Sequence, residues 1–106
     1  MTISLTLEDV QEVWHKMQVL CDSPDLQSDY GITQLGADAI TASIPKAGGK
    51  WTPPSWADKI IRDEMQDHVI VMRDCANDAN DAGNPKQSAA IRKHARRLAR
   101  LFRQNG

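Results

Sequence analysis

The chain has 106 residues, of which 41% are apolar or aromatic and 25% are charged, with a formal net charge of −1. That length is one domain's worth, the apolar share is ordinary for a globular protein and argues against disorder, and no run approaches the ~18 apolar residues of a membrane span. The small net charge hides a division along the chain: all 14 acidic residues precede residue 82 together with 6 bases, and the remaining 7 bases follow it.

The N-terminal stretch MTISLTLEDV lacks the basic start and apolar core of a signal peptide, so a cytoplasmic address is expected. The first element is a helix from Leu7 to about Cys21. Thr6 is placed to cap it, and Glu8 and Asp9 fall where the helix dipole favours negative charge. Leu7, Val10, Val13, Trp14, Met17, Leu20 and Cys21 recur at spacings of three and four, which makes one apolar stripe. Ser23 followed by Pro24 reads as the cap and first residue of a short second helix. The segment Ile32 to Ile44 suits either a helix or an alternating strand. A helix from Thr33 to about Ser43 is favoured, because a lone short strand would have no partner. PKAGGKWTPP then reads as an extended loop, with Gly48 and Gly49 a turn and not a phosphate cradle.

Ser55 to Asp81 reads as one long helix with Thr52 or Ser55 as its cap. Ile61, Met65, His68, Met72, Cys75 and Ala79 form a seam on one side, and Asp63, Asp67, Asp74, Asp78 and Asp81 a narrow acidic ridge well away from it. Gly83 can close this helix in the left-handed conformation and Pro85 opens the next, so the two helices form an antiparallel hairpin. The last helix, Pro85 to about Gln104, turns Ala90, Ile91, His94, Ala95, Leu98, Leu101 and Phe102 to one side and Arg92, Lys93, Arg96, Arg97, Arg100 and Arg103 to the other. The expected fold is therefore all-α: one domain over residues 1–106, with an N-terminal amphipathic helix, a short irregular middle and a long C-terminal hairpin.

Weighed as chemistry, these features favour binding over catalysis. His68, Cys75 and His94 would approach one another across the hairpin, but with Met72 and Leu98 as neighbours and no fourth ligand they read as core and not as a metal site. Cys21 and Cys75 read as buried, reduced thiols. A helix-turn-helix around Gly31, Ile32 and Thr33 fails because Gln27 stands where that motif needs a small residue and the would-be reading helix has an aspartate and no base. No catalytic signature and no cofactor motif emerges. The acidic ridge (Asp63, Asp67, Asp74, Asp78) is a candidate partner surface, the basic face of the last helix a candidate partner or nucleic-acid surface, and Trp51 and Trp56 are candidate aromatic anchors or else core.

In size, acidity and lack of a motif the chain resembles the small accessory proteins of phages and mobile elements, anti-CRISPR inhibitors among them. The resemblance is one of general make-up and carries no functional residue across. It implies a non-enzymatic protein that blocks a larger host protein or nucleoprotein complex. The reading from the residues alone keeps an alternative, a small DNA-binding regulator that uses the basic C-terminal helix. A monomer without membrane association is expected in either case.

Overall fold

The computed structural model describes residues 1–103, in the order β1 (Ile3–Leu5), α1 (Leu7–Asp22), α2 (Pro24–Asp29), α3 (Gln34–Ala42), β2 (Gly49–Trp51), α4 (Asp58–Asp81) and α5 (Pro85–Leu101). The fold is mainly α-helical, as expected. Its internal contacts divide into two compact units, Met1–Ile61 and Arg62–Gly106, and α4 contributes residues to each.

The starts of α1, α2 and α3 are each set by a side chain that satisfies an otherwise unpaired amide. Thr6 Oγ1 accepts from the Asp9 amide at 3.2 Å while the Thr6 amide donates to Asp9 Oδ2 at 2.9 Å, a reciprocal capping box that holds Asp9 fully buried. Ser23 caps α2 with Pro24 behind it, and Thr33 caps α3, so the ambiguous middle segment is a helix. The end of α1 is secured differently. Gln27 Nε2 donates to the carbonyls of Leu20 and Cys21 at 3.0 and 3.1 Å and to Gln34 Oε1 at 3.2 Å, so one buried amide joins the end of α1 to the start of α3. The residue that spoils a helix-turn-helix is the one that ties these three helices together. Val13, Met17 and Leu20 supply the fully buried face of α1, and Ala37 and Ile40 that of α3. Leu7 (61% exposed) and Trp14 (45% exposed) depart from the expected core because they lie about 100° or more around the helix from Val13, at the stripe's edge.

A further departure is the pairing of β1 with β2, antiparallel with Ile3 opposite Trp51 and Leu5 opposite Gly49. The sequence suggests an extended loop at Gly49–Trp51 and no element at Ile3–Leu5, because three-residue strands far apart in sequence give almost no local signal. The connection needs glycine at one point: Gly48 has φ +82, and a Cβ there would stand 3.0 Å from the Leu5 carbonyl oxygen. Trp51 is fully buried and donates from Nε1 to Ser43 Oγ at 2.9 Å. The approach to α4 is a 3-10 turn, Ser55–Ala57, without a side-chain cap, so neither Thr52 nor Ser55 plays the expected part. Thr52 Oγ1 lies instead 3.1 Å from Thr2 Oγ1.

The second unit is the expected antiparallel hairpin. Gly83, at φ +84, closes α4, with the Asn84 amide bonded to the Ala79 carbonyl at 2.8 Å and the Gly83 amide to that of Asn80 at 3.1 Å. The register is fixed at both ends: Arg92 donates to Asn77 near the turn, and at the far end Gln66 Nε2 reaches the Phe102 and Ala99 carbonyls at 2.8 and 3.5 Å. Arg62 Nη1 donates to the Arg103 carbonyl at 2.6 Å, so α4 supplies donors and a positive charge to the C-terminal end of α5. Met65, Leu98 and Phe102 are fully buried and Met72 nearly so.

The expected seam fails in its last two turns. Cys75 is exposed and Ala79 half-buried, and Ala76, together with Val69 further back, takes the buried place. The expected residues repeat every 3.5, whereas a straight helix turns every 3.6, a slippage of about 20° per heptad that amounts to about 40° between Ile61 and Cys75. On α5, Ala90 is exposed and Ile91, His94 and Leu101 are half-buried, and Ser88 joins Ala95, Leu98 and Phe102 in the interior. The expected helical position of Gln104 lies outside the described residues.

Candidate functional site

The acidic face of α4 is organised by the same wheel that buries its opposite side. Asp67, Asp74, Asp78 and Asp81 are exposed, and the span from Asp67 to Asp78 rises about 16 Å at 1.5 Å per residue. Asp63 is half-buried and engaged by neighbouring groups, so it belongs less to the outward surface than the sequence implied. Between the aspartates stand two apolar residues outside the expected seam and ridge. Ile70 is 57% and Val71 51% exposed, and both fall within about 60° of Asp67 on the wheel, one turn before Asp74. Cys75 is exposed one turn beyond Val71. The ridge is thus a mixed face in which an apolar pair sits between carboxylates. The wheel itself carried this signal, since Ile70 and Val71 lie far from the seam of Met65 and Met72.

The basic face of α5 is narrower than its sequence. Lys93, Arg96, Arg100 and Arg103 are exposed. Arg92 is half-buried, drawn to Asn77 and to Ser88 Oγ at 3.4 Å, and Arg97 is half-buried and engaged. Desolvating a guanidinium is costly unless it is hydrogen-bonded, and the polar groups at the hairpin's edge provide for Arg92.

Of the two candidate aromatic anchors, Trp51 is core and is withdrawn from solvent, whereas Trp56 remains 50% exposed. The Trp56 ring lies over α3 at Gly36, where an added Cβ would stand 3.5 Å from it, and Leu35 on the same helix is 81% exposed. On α1, Val10, Gln11 and Trp14 line a shallow cleft with Lys46.

Of the expected histidine and cysteine cluster, His68 is buried, His94 half-buried and Cys75 exposed. Among the described residues no group of three or more His, Cys, Asp or Glu side chains is arranged to hold a metal ion. Cys21 is buried at the α1–α3 contact with its Sγ 3.1 Å from Thr41 Oγ1. Burial pushes its thiol pKa up, against the Thr41 hydrogen bond, which lowers it. Among the described residues no helix is long and apolar enough to cross a membrane.

No protein-family model, curated protein or solved structure matches the chain. The surface features that stand out are therefore two charged helical faces, one of which carries exposed apolar side chains.

Proposed function

We propose that this protein is a non-enzymatic binding protein that blocks a larger host protein or nucleoprotein complex, in the manner of an anti-CRISPR-type inhibitor, through the charged faces of its C-terminal hairpin. The observation that carries the reading is the exposure of Asp67, Asp74 and Asp78 along one side of α4, opposite the side that buries Met65, Val69 and Met72. Charges held in a row on a helix braced at both ends steer and register a complementary partner at little cost in stability. The test is capture of the partner from host lysate by three proteins: wild type, Asp67→Lys with Asp74→Lys, and Arg96→Glu with Arg100→Glu. Loss of capture in a reversed protein whose melting temperature is unchanged supports the reading. Equal capture by all three removes it.

The second reading is a small DNA-binding regulator. It is favoured by the exposure of Lys93, Arg96, Arg100 and Arg103 on one helix. A gel shift on nonspecific duplex DNA at low salt separates the two. The regulator binds with an affinity that falls steeply as salt rises, and only its arginine reversals matter.

A further inference from the structure

We infer that the acidic face of α4 is built to receive a cationic amphipathic helix of a protein partner, with Ile70 and Val71 as the apolar centre of the contact and Asp67, Asp74 and Asp78 as its rim. This rests on the binding function proposed above and names the chemistry of its partner. A surface that used charge alone, against a nucleic-acid-binding groove for instance, would gain nothing from two β-branched apolar side chains at its midpoint. Here they are 57% and 51% exposed, next to each other, with an exposed aspartate one turn away on either side. An apolar centre inside a polar rim is the anatomy of a protein interface.

Charge decides which occupant fits. A second copy laid α4 against α4 would bring two rows of aspartates together, and like charges brought close oppose association. Nucleic acid and an anionic membrane surface are repelled for the same reason. Lys59, Arg62 and Arg73 are the bases of α4, and none falls within the sector that holds Asp67, Ile70, Val71, Asp74 and Asp78. A helix that presents leucine-like side chains at intervals of three and four, flanked by lysine or arginine, satisfies the apolar pair and the carboxylates at once.

The probe is a synthetic 18-residue peptide with leucines at helical spacing and arginines at their flanks, compared with a scrambled isomer of identical composition and charge. Binding to the full chain is measured by fluorescence anisotropy at physiological ionic strength, and circular dichroism confirms that each variant is folded. The amphipathic peptide is expected to bind about tenfold or more tightly than its isomer, and Ile70→Ser with Val71→Ser to abolish that difference. Asp67→Lys with Asp74→Lys is expected to weaken both peptides. Equal affinity for the two peptides, or an advantage that survives the double serine change, overturns the inference; sensitivity to the aspartate changes would then leave the charge-based function standing. A dimer of the wild-type protein alone that the double serine change dissolves also overturns it, and assigns the face to a second copy. Duplex-DNA binding that the same change abolishes overturns it in favour of nucleic acid.

Discussion

Replacing Gln27 by methionine, similar in length but without a donor, should destabilise the protein by about 2 kcal/mol, since a buried polar group that loses its partner costs about 1–3 kcal/mol. The magnitude follows from which acceptors are left. The Leu20 carbonyl keeps a second bond, from the Ser23 amide at 3.4 Å, and Gln34 is exposed, so water can take the place of Gln27 at its Oε1. The Cys21 carbonyl, held by Gln27 at 3.1 Å, carries most of the loss. Urea unfolding should show a lower midpoint at unchanged slope, because the surface exposed on unfolding is the same. Gln27→Glu should be worse at neutral pH, where a carboxylate would face carbonyl oxygens. Its folded-state pKa would be raised, so its stability is fullest below the pKa of an unfolded glutamate and is lost as pH rises through the folded value. A methionine variant within about 0.5 kcal/mol of wild type, the range of ordinary surface changes, would refute the role given to this amide.

Met72→Asp should cost about 3 kcal/mol or more in the same assay, because it places a charge at a position that is 7% exposed. Gly36→Ala should raise stability by about 0.5–1 kcal/mol, since its Cβ would meet Ile32 and Trp56 at 3.4 and 3.5 Å, ordinary contact distances. Gly83→Ala should lower it by about 1 kcal/mol through strain at a positive φ; thermal melts of the two variants should move in opposite directions. A thiol reagent should modify Cys75 rapidly and Cys21 slowly in the native protein, and mass spectrometry of the labelled chain distinguishes the sites. The raised pKa of Cys21 adds a pH dependence with a definite sign. The folded state favours the neutral thiol, so this contribution is complete below the unfolded thiol's pKa and is lost as pH rises through the folded value, and Cys21→Ala should flatten the alkaline decline in stability.

Much of the fold could be read from local chemistry. Thr6, Ser23 and Thr33 begin helices where short polar side chains can take an orphan amide, and Gly83 ends one where a left-handed residue is needed. What could not be read is non-local. The pairing of Ile3–Leu5 with Gly49–Trp51 joins segments too short to show a pattern, and Trp51, which the sequence leaves open between surface anchor and core, is buried at the end of that pairing. The three-helix tie at Gln27 depends on carbonyls whose positions no sequence pattern specifies. The candidate surface is legible in its charge directly and in its apolar part only through the helical wheel, which sets Ile70 and Val71 away from the seam. Cys75 departs from its expected inward place because a 3.5-residue repeat drifts around a helix that turns every 3.6 residues.

The most direct test of the α4 face as the partner surface is the rate of thiol modification at Cys75, in the free protein and in the complex with the partner captured from host lysate. Cys75 stands one turn from Val71 and is exposed in the free chain, while buried Cys21 is an internal control. Engagement of this face predicts that modification at Cys75 slows by an order of magnitude or more in the complex, with Cys21 unchanged. A Cys75 that reacts equally fast in both states would contradict the assignment and move the partner to another surface.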